Sequence, residues 1–157
     1  MDAQSAKLLA HIISNTRVAT LATMRDEKPQ TSMVAFNPSD DFSAFYIHVS
    51  RLAQHTTDML KDKHISLLIV ETDDGRADPQ TLARVSIRGS VEIIQNGEPG
   101  YTPIKEAYLA RFPEAEQLFK LDDFNFWRIT PKGGRYVAGF SKAYNITPEA
   151  LKKASDR

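Results

Sequence analysis

Apolar positions change their period several times along the chain, and each change marks a new element. Ala6, Leu9, Ala10 and Ile13 fall on one helical face, and Asn15 is a stop before Arg17. From Val18 to Met24 the spacing alternates and β-branched Val18, Thr20 and Thr23 recur, which predicts a strand. Arg25-Asp26-Glu27-Lys28-Pro29 is a turn by composition; Gln30 to Phe36 predicts a second strand, Asn37 to Asp41 another turn, and Ala44 to Val49 a third strand. Leu52, His55, Thr56, Met59 and Leu60 return to helical spacing, with Ser50 placed to cap that helix. Ile65 to Glu71 reads as a buried strand, Thr72 to Gln80 as a loop, and Ala83 to Ile94 as a long alternating strand. Past Gly97 to Gly100 a helix carries Ile104, Ala107, Tyr108 and Arg111, and a second short helix runs from Phe112 to Lys120. Phe124 to Thr130 and Tyr136 to Phe140 predict two closing strands joined by a turn at Pro131-Lys132-Gly133-Gly134, before a polar helix from Pro148 to Ala154.

About seven strands with mostly hairpin-length connections predict a mainly β, α+β fold with an antiparallel sheet. A small barrel with peripheral helices fits this order; regular strand–helix alternation, which a doubly wound sheet needs, is missing. At 157 residues the chain has the length of one domain. The expected organisation is an N-terminal helix at about 2–15, a barrel at about 17–140 and a C-terminal helix at about 147–155. Twenty acidic and twenty basic residues cancel, so the basic excess that nucleic-acid binding usually leaves is absent. With no cysteine, disulfides, thiolate zinc sites, iron–sulfur clusters and cysteine nucleophiles are excluded. No apolar run approaches a membrane span, and Met1 to Ser5 lacks a secretory pattern, so a cytoplasmic protein is expected.

The motifs of nucleotide-binding and hydrolytic folds are missing: no G-x-G-x-x-G, no phosphate loop, no G-x-S-x-G and no H-E-x-x-H. Four histidines, His11, His48, His55 and His64, offer no sequence-local metal set, so no metal site is expected; His11 and His64 read as surface or boundary residues. The junction Val49-Ser50-Arg51-Leu52 carries more chemistry. A helix N-terminus supplies free N–H groups, Ser50 a hydroxyl and Arg51 a forked cation, which together make a phosphate cradle; an ordinary cap with a solvated arginine has the same spacing. Along Thr31-Ser32-Met33-Val34 a flat heteroaromatic ring could lie against strand backbone. Phe126 and Trp127 point to opposite faces of one strand, so one of them need not be core.

In combination these segments resemble the FMN-binding split-barrel superfamily related to pyridoxamine 5′-phosphate oxidase, and within it the branch of the haem-utilisation proteins. The resemblance is carried by Arg17 to Thr23 with Pro29, by Pro29 to Phe36, by Tyr46 to Leu60 with its Leu-Ala-x-His-Thr core, by Ala83 to Gly89, by Tyr108 to Ala115 and by Gly139 to Ala143. It implies FMN held at the interface of a homodimer. Carried over residue by residue, Val49, Ser50 and Arg51 match the phosphate-binding turn, His55 and Thr56 the start of the following helix, and Ser32, Met33 and Val34 the strand along the flavin ring. The sequence departs from the oxidase proper, whose second strand and phosphate turn are rich in arginine and lysine; here Thr-Ser-Met-Val stands in the strand and Arg51 is the one basic residue of the turn. It also departs from the branch, with Asp58 where asparagine is common and Ser141 where glycine is usual; that branch carries an additional C-terminal domain, which is not expected in a chain that stops at Arg157. The expectation is an FMN-dependent oxidoreductase without pyridoxamine-phosphate oxidase activity. The alternative is a non-catalytic flavin- or haem-binding protein of haem utilisation.

Overall fold

Strand propensity and hairpin turns build most of the molecule. The computed structural model describes residues 1–156. Helix α1 (Ala3–Asn15) is capped by Asp2, whose carboxylate accepts from the Ser5 N–H at 2.8 Å. A meander follows: β1 (Val18–Arg25), β2 (Lys28–Ala35), the two-residue β3 (Asn37–Pro38) and β4 (Phe45–Ser50). Helix α2 (Gln54–Lys61) leads into β5 (His64–Val70) and the eleven-residue β6 (Arg84–Ile94). Helix α3 (Tyr101–Arg111) and a 3₁₀ segment (Pro113–Lys120) precede β7 (Phe124–Val137), β8 (Ala143–Ile146) and α4 (Pro148–Ser155).

All pairings are antiparallel, in the order β2-β1-β5-β6-β7-β4-β3, with β8 added to β7. The two ends of this path, β2 and β3, are consecutive in the chain, so the sheet curls round on itself as a split barrel. Inward positions of every long strand fill it, among them Leu21, Phe45, Ile47, Leu67, Ile87 and Ile129, all fully buried. Leu9, Ile12 and Ile13 of α1 close one end, and the Tyr136 hydroxyl, buried with them, donates to the Ser5 carbonyl at 2.9 Å.

Phe126 and Trp127 do point to opposite faces, yet both are buried. Trp127 belongs to the barrel core, while Phe126 anchors a second core with Ile94, Ile104, Tyr108 and Phe112. Helix α3 covers the outer face that the alternation left open.

Three expectations are corrected. The segment Pro131 to Gly134 is not a turn: β7 runs through it for fourteen residues, paired with β6 around a bulge at Arg88/Gly89. Its glycines serve close strand approach, since a Cβ on Gly134 would stand 2.1 Å from the Ser86 carbonyl oxygen. The reversal falls instead at Gly139 to Lys142, with positive φ at Gly139 and Ser141, and it adds the unforeseen β8. Finally, α2 starts at Gln54 with Ala53 as its cap residue, and Ser50 closes β4.

Candidate functional site

The residues assigned by resemblance to a phosphate turn come together where β4 ends beside the start of β7. Ser50 pairs with Phe124 across the β4–β7 ladder, which brings Asp122 and Asp123 alongside the turn. The Ser50 hydroxyl donates to the Asp123 carboxylate at 2.5 Å and accepts from the Leu52 N–H at 3.0 Å. The Arg51 N–H donates to the Asp123 carbonyl at 2.7 Å, and its guanidinium to the Asp122 carbonyl at 3.1 Å. Thr56, fully buried, turns its hydroxyl onto the Ser50 carbonyl at 2.6 Å. Val49 is buried in the barrel core.

Strand β2 is an edge strand, laddered to β1 on one side. Along it Val34 faces the core, whereas Met33 is 71% exposed on the outer face. Ser32 faces inward with Val34, and its Oγ is buried without a hydrogen-bond partner; so is Nε2 of His55 on α2. Beside them Asp58 is buried and accepts from Thr23 Oγ1 at 2.8 Å and from Arg25 Nε and Nη2 at 2.8 and 3.0 Å. The Arg25 guanidinium holds the Asp58 carboxyl below its ordinary range, and burial pushes the His55 imidazole down, so His55 is neutral near pH 7.

A second constellation lies on the outer face of β1, β5 and β6, in an open cleft of about 340 Å³. Ala22, Met24 and Pro29 give it an apolar lining. His64, Arg88 and Lys132, all exposed, stand around it. His64 is held by its neighbour: the Asp62 carboxylate lies 2.7 Å from Nδ1 and also accepts the His64 N–H at 2.9 Å. These bonds hold the Asp62 carboxyl below its ordinary range, so the carboxylate accepts and Nδ1 donates. With Nδ1 engaged by Asp62, Nε2 of His64 makes no hydrogen bond among the described residues, the arrangement in which an outer carboxylate orients metal-binding imidazoles. A larger, polar hollow of about 490 Å³ lies elsewhere, between α1 and the β3–β4 turn. There Arg111 donates to the Ser14 and Thr16 carbonyls and so closes the end of α1.

Sequence reasoning missed this cleft. Its signal was present in the Asp62-x-His64 spacing at a strand start and in the outward position of Arg88, but no local pattern joins them to Lys132, which a turn at 131–134 would have moved away. Among the described residues no three His, Asp or Glu side chains cluster to hold a metal ion, and no helix is long and apolar enough to cross a membrane.

The sequence profile described as the CREG beta-barrel matches residues 1–153. The chain belongs to the CREG beta-barrel family. It is 35% identical over 129 residues to the non-canonical heme oxygenase HOZ of Arabidopsis thaliana chloroplasts, covering 81% of this chain and 37% of that one. A heme-binding protein from Mycobacterium smegmatis superposes with a TM-score of 0.84 at 26% identity, over 98% of this chain and 62% of that chain. The chain thus spans less than two thirds of either relative. A putative pyridoxamine 5′-phosphate oxidase from Listeria innocua shares the fold, with a TM-score of 0.65 at 17% identity over 87% of this chain and 99% of that one. The CREG beta-barrel chain is therefore a split barrel of the pyridoxamine-phosphate-oxidase-like type, whose named relatives include haem proteins.

The two ligand classes that this CREG-family kinship brings forward meet different surfaces. An FMN phosphate at the Ser50 turn would find the hydroxyl, the Arg51 N–H and one guanidinium N–H already donating within the chain, and the Asp123 carboxylate bonded to the Ser50 hydroxyl. The outer cleft offers a different set of groups: apolar surface, an imidazole nitrogen and two cations.

Proposed function

We propose that this CREG-family barrel is a haem-utilisation protein that binds haem on its outer sheet face, as one half of a homodimer. The observation that carries the reading is the apolar cleft bordered by His64, with Asp62 fixing its ring, and by Arg88 and Lys132. In this reading Ala22, Met24 and Pro29 take the porphyrin ring, His64 Nε2 faces the iron, and Arg88 and Lys132 pair with the propionates. Bound haem would supply an iron centre for electron and oxygen chemistry; the chain's part is to orient it and shield one face. A heme oxygenase and a heme-binding protein among the relatives support this class of ligand. A second reading, a flavin ring lying along Ser32 to Val34 near His55 and Thr56, draws on the unpartnered Ser32 Oγ and His55 Nε2.

Titration of the purified protein with hemin tests the reading. Saturation at one haem per chain is expected, with a shifted Soret band. Replacing His64 with Ala is expected to change the ligand-field bands of the ferric complex and weaken binding about tenfold or more. Absence of a saturable spectral change in the wild type would defeat the proposal. Haem binding with a spectrum identical in His64→Ala would leave haem and remove the ligand assignment.

A further inference from the structure

The turn at the end of β4 carries an inference that stands apart from the haem reading. Ser50 and Arg51 offer the groups a phosphate needs, a hydroxyl, main-chain N–H groups and a guanidinium. The fold has filled the hydroxyl and main-chain part of that demand from inside, and one N–H of the guanidinium. The Asp123 carboxylate takes the Ser50 hydroxyl at 2.5 Å, its carbonyl takes the Arg51 N–H at 2.7 Å, and the Asp122 carbonyl takes the guanidinium at 3.1 Å. The next two N–H groups are also committed, Leu52 to Ser50 Oγ and Ala53 to the Ser50 carbonyl at 3.2 Å. The Thr56 hydroxyl is spent on that same carbonyl. Two consecutive acidic residues, Asp122 and Asp123, thus flank a turn that holds one cation, Arg51. The ladder fixes them there, because Ser50 lies opposite Phe124 and Asp123 is the residue before it.

We propose that Asp123 is a specificity-determining residue: its carboxylate occupies the phosphate position of the Ser50–Arg51 turn and closes this barrel to phosphate-anchored flavin. Two effects act together. An incoming phosphate has to displace a charge-assisted hydrogen bond, and it has to approach a like charge. A ligand without phosphate meets neither obstacle at this turn, so the discrimination acts on the phosphate and not on a flavin ring.

The test is a pair of titrations, FMN and riboflavin, followed by quenching of flavin fluorescence. The wild type is expected to bind FMN no more tightly than riboflavin. Asp123→Ala is expected to gain FMN affinity by about tenfold or more, the worth of one freed charge-assisted bond, with riboflavin unchanged. Ser50→Ala added to that variant is expected to abolish the gain. Asp123→Asn keeps the side chain's shape and removes its charge, so it answers the question if Asp123→Ala fails to fold; its FMN affinity is expected to rise as well. A wild type that prefers FMN over riboflavin by about tenfold, or FMN binding that stays as weak in the folded Asp123 variants as in the wild type, overturns the proposal.

Discussion

Asp58 shows how a single charge is accommodated in the layer between β1 and α2. It is 1% exposed, and three donors reach it, one from Thr23 and two from Arg25. Arg25 is about a third exposed and keeps contact with water, so the cost of breaking the pair falls mainly on the side that stays buried. Asp58→Ala is expected to cost about 2–3 kcal/mol, because Thr23 loses its acceptor and a cavity opens under α2. Asp58→Asn, which preserves shape, is expected to cost less. Urea unfolding near pH 7 checks both, and a shift below about 0.5 kcal/mol for the alanine would rule the network out as a stabiliser. The sign with pH follows from the lowered pKa: the contribution is present above the ordinary carboxylate range and is lost as pH falls through the folded value. In the sequence Asp58 stands out only as an aspartate where the resembled branch commonly has asparagine. That its charge is matched by Arg25, 33 residues earlier, depends on α2 packing across β1, which no local pattern encodes.

At the scale of elements, β4, α3, β7 and the 3₁₀ segment meet around His48. Its ring stacks on Phe119 at 4.0 Å and is surrounded by Phe124, Phe126 and Tyr108 at 5.3, 4.7 and 5.9 Å. Burial, helped by the Lys105 charge, pushes its pKa down to about 4, and its Nδ1 has no partner. The folded protein thus resists a proton that the unfolded chain takes up near pH 6.5. Stability is therefore expected to be full above that pH and to fall as pH drops from about 6.5 toward 4, by up to about 3 kcal/mol from this residue. Since Asp58 adds its own loss at lower pH, the informative quantity is the difference between wild type and His48→Phe, whose stability profile is expected to be flatter over that interval. Parallel profiles would show that His48 does not titrate against folding. The sequence made the strand around His48 legible through its alternation. The aromatic box was not legible, because Phe119 comes from a segment whose short helical spacing says nothing of which sheet face it covers. Pro131 to Gly134 misled for a related reason: proline and glycine signal a turn in isolation, but here they permit a close crossing of two long strands.

At the scale of the molecule, the hairpins β1–β2 and β3–β4 were readable because short turns join their strands, whereas the pairings that close the barrel and the outer face of the sheet become visible only once register is known. That register places Met33 beside Thr20 and Thr20 beside Leu68, a row running across three strands. Met33 is 71%, Val18 48% and Leu68 37% exposed, so an apolar strip lies open on the edge half of the sheet. The next row, Thr31, Ala22, Ser66 and Arg88, borders the proposed haem cleft. A second copy of the chain seated on this strip would cover the apolar row and wall the cleft at the same time, which ties assembly to ligand binding. Light scattering is expected to give twice the 17.6 kDa chain mass for the wild type. The double substitution Met33→Asp with Leu68→Asp is expected to give the single-chain mass with unfolding little changed, since both side chains face outward, and to weaken hemin binding as well. A variant that stays dimeric would place the interface elsewhere. A monomeric variant that binds hemin with wild-type affinity would mean that one chain builds the whole site, and that the partner covers the strip without contributing to the cleft.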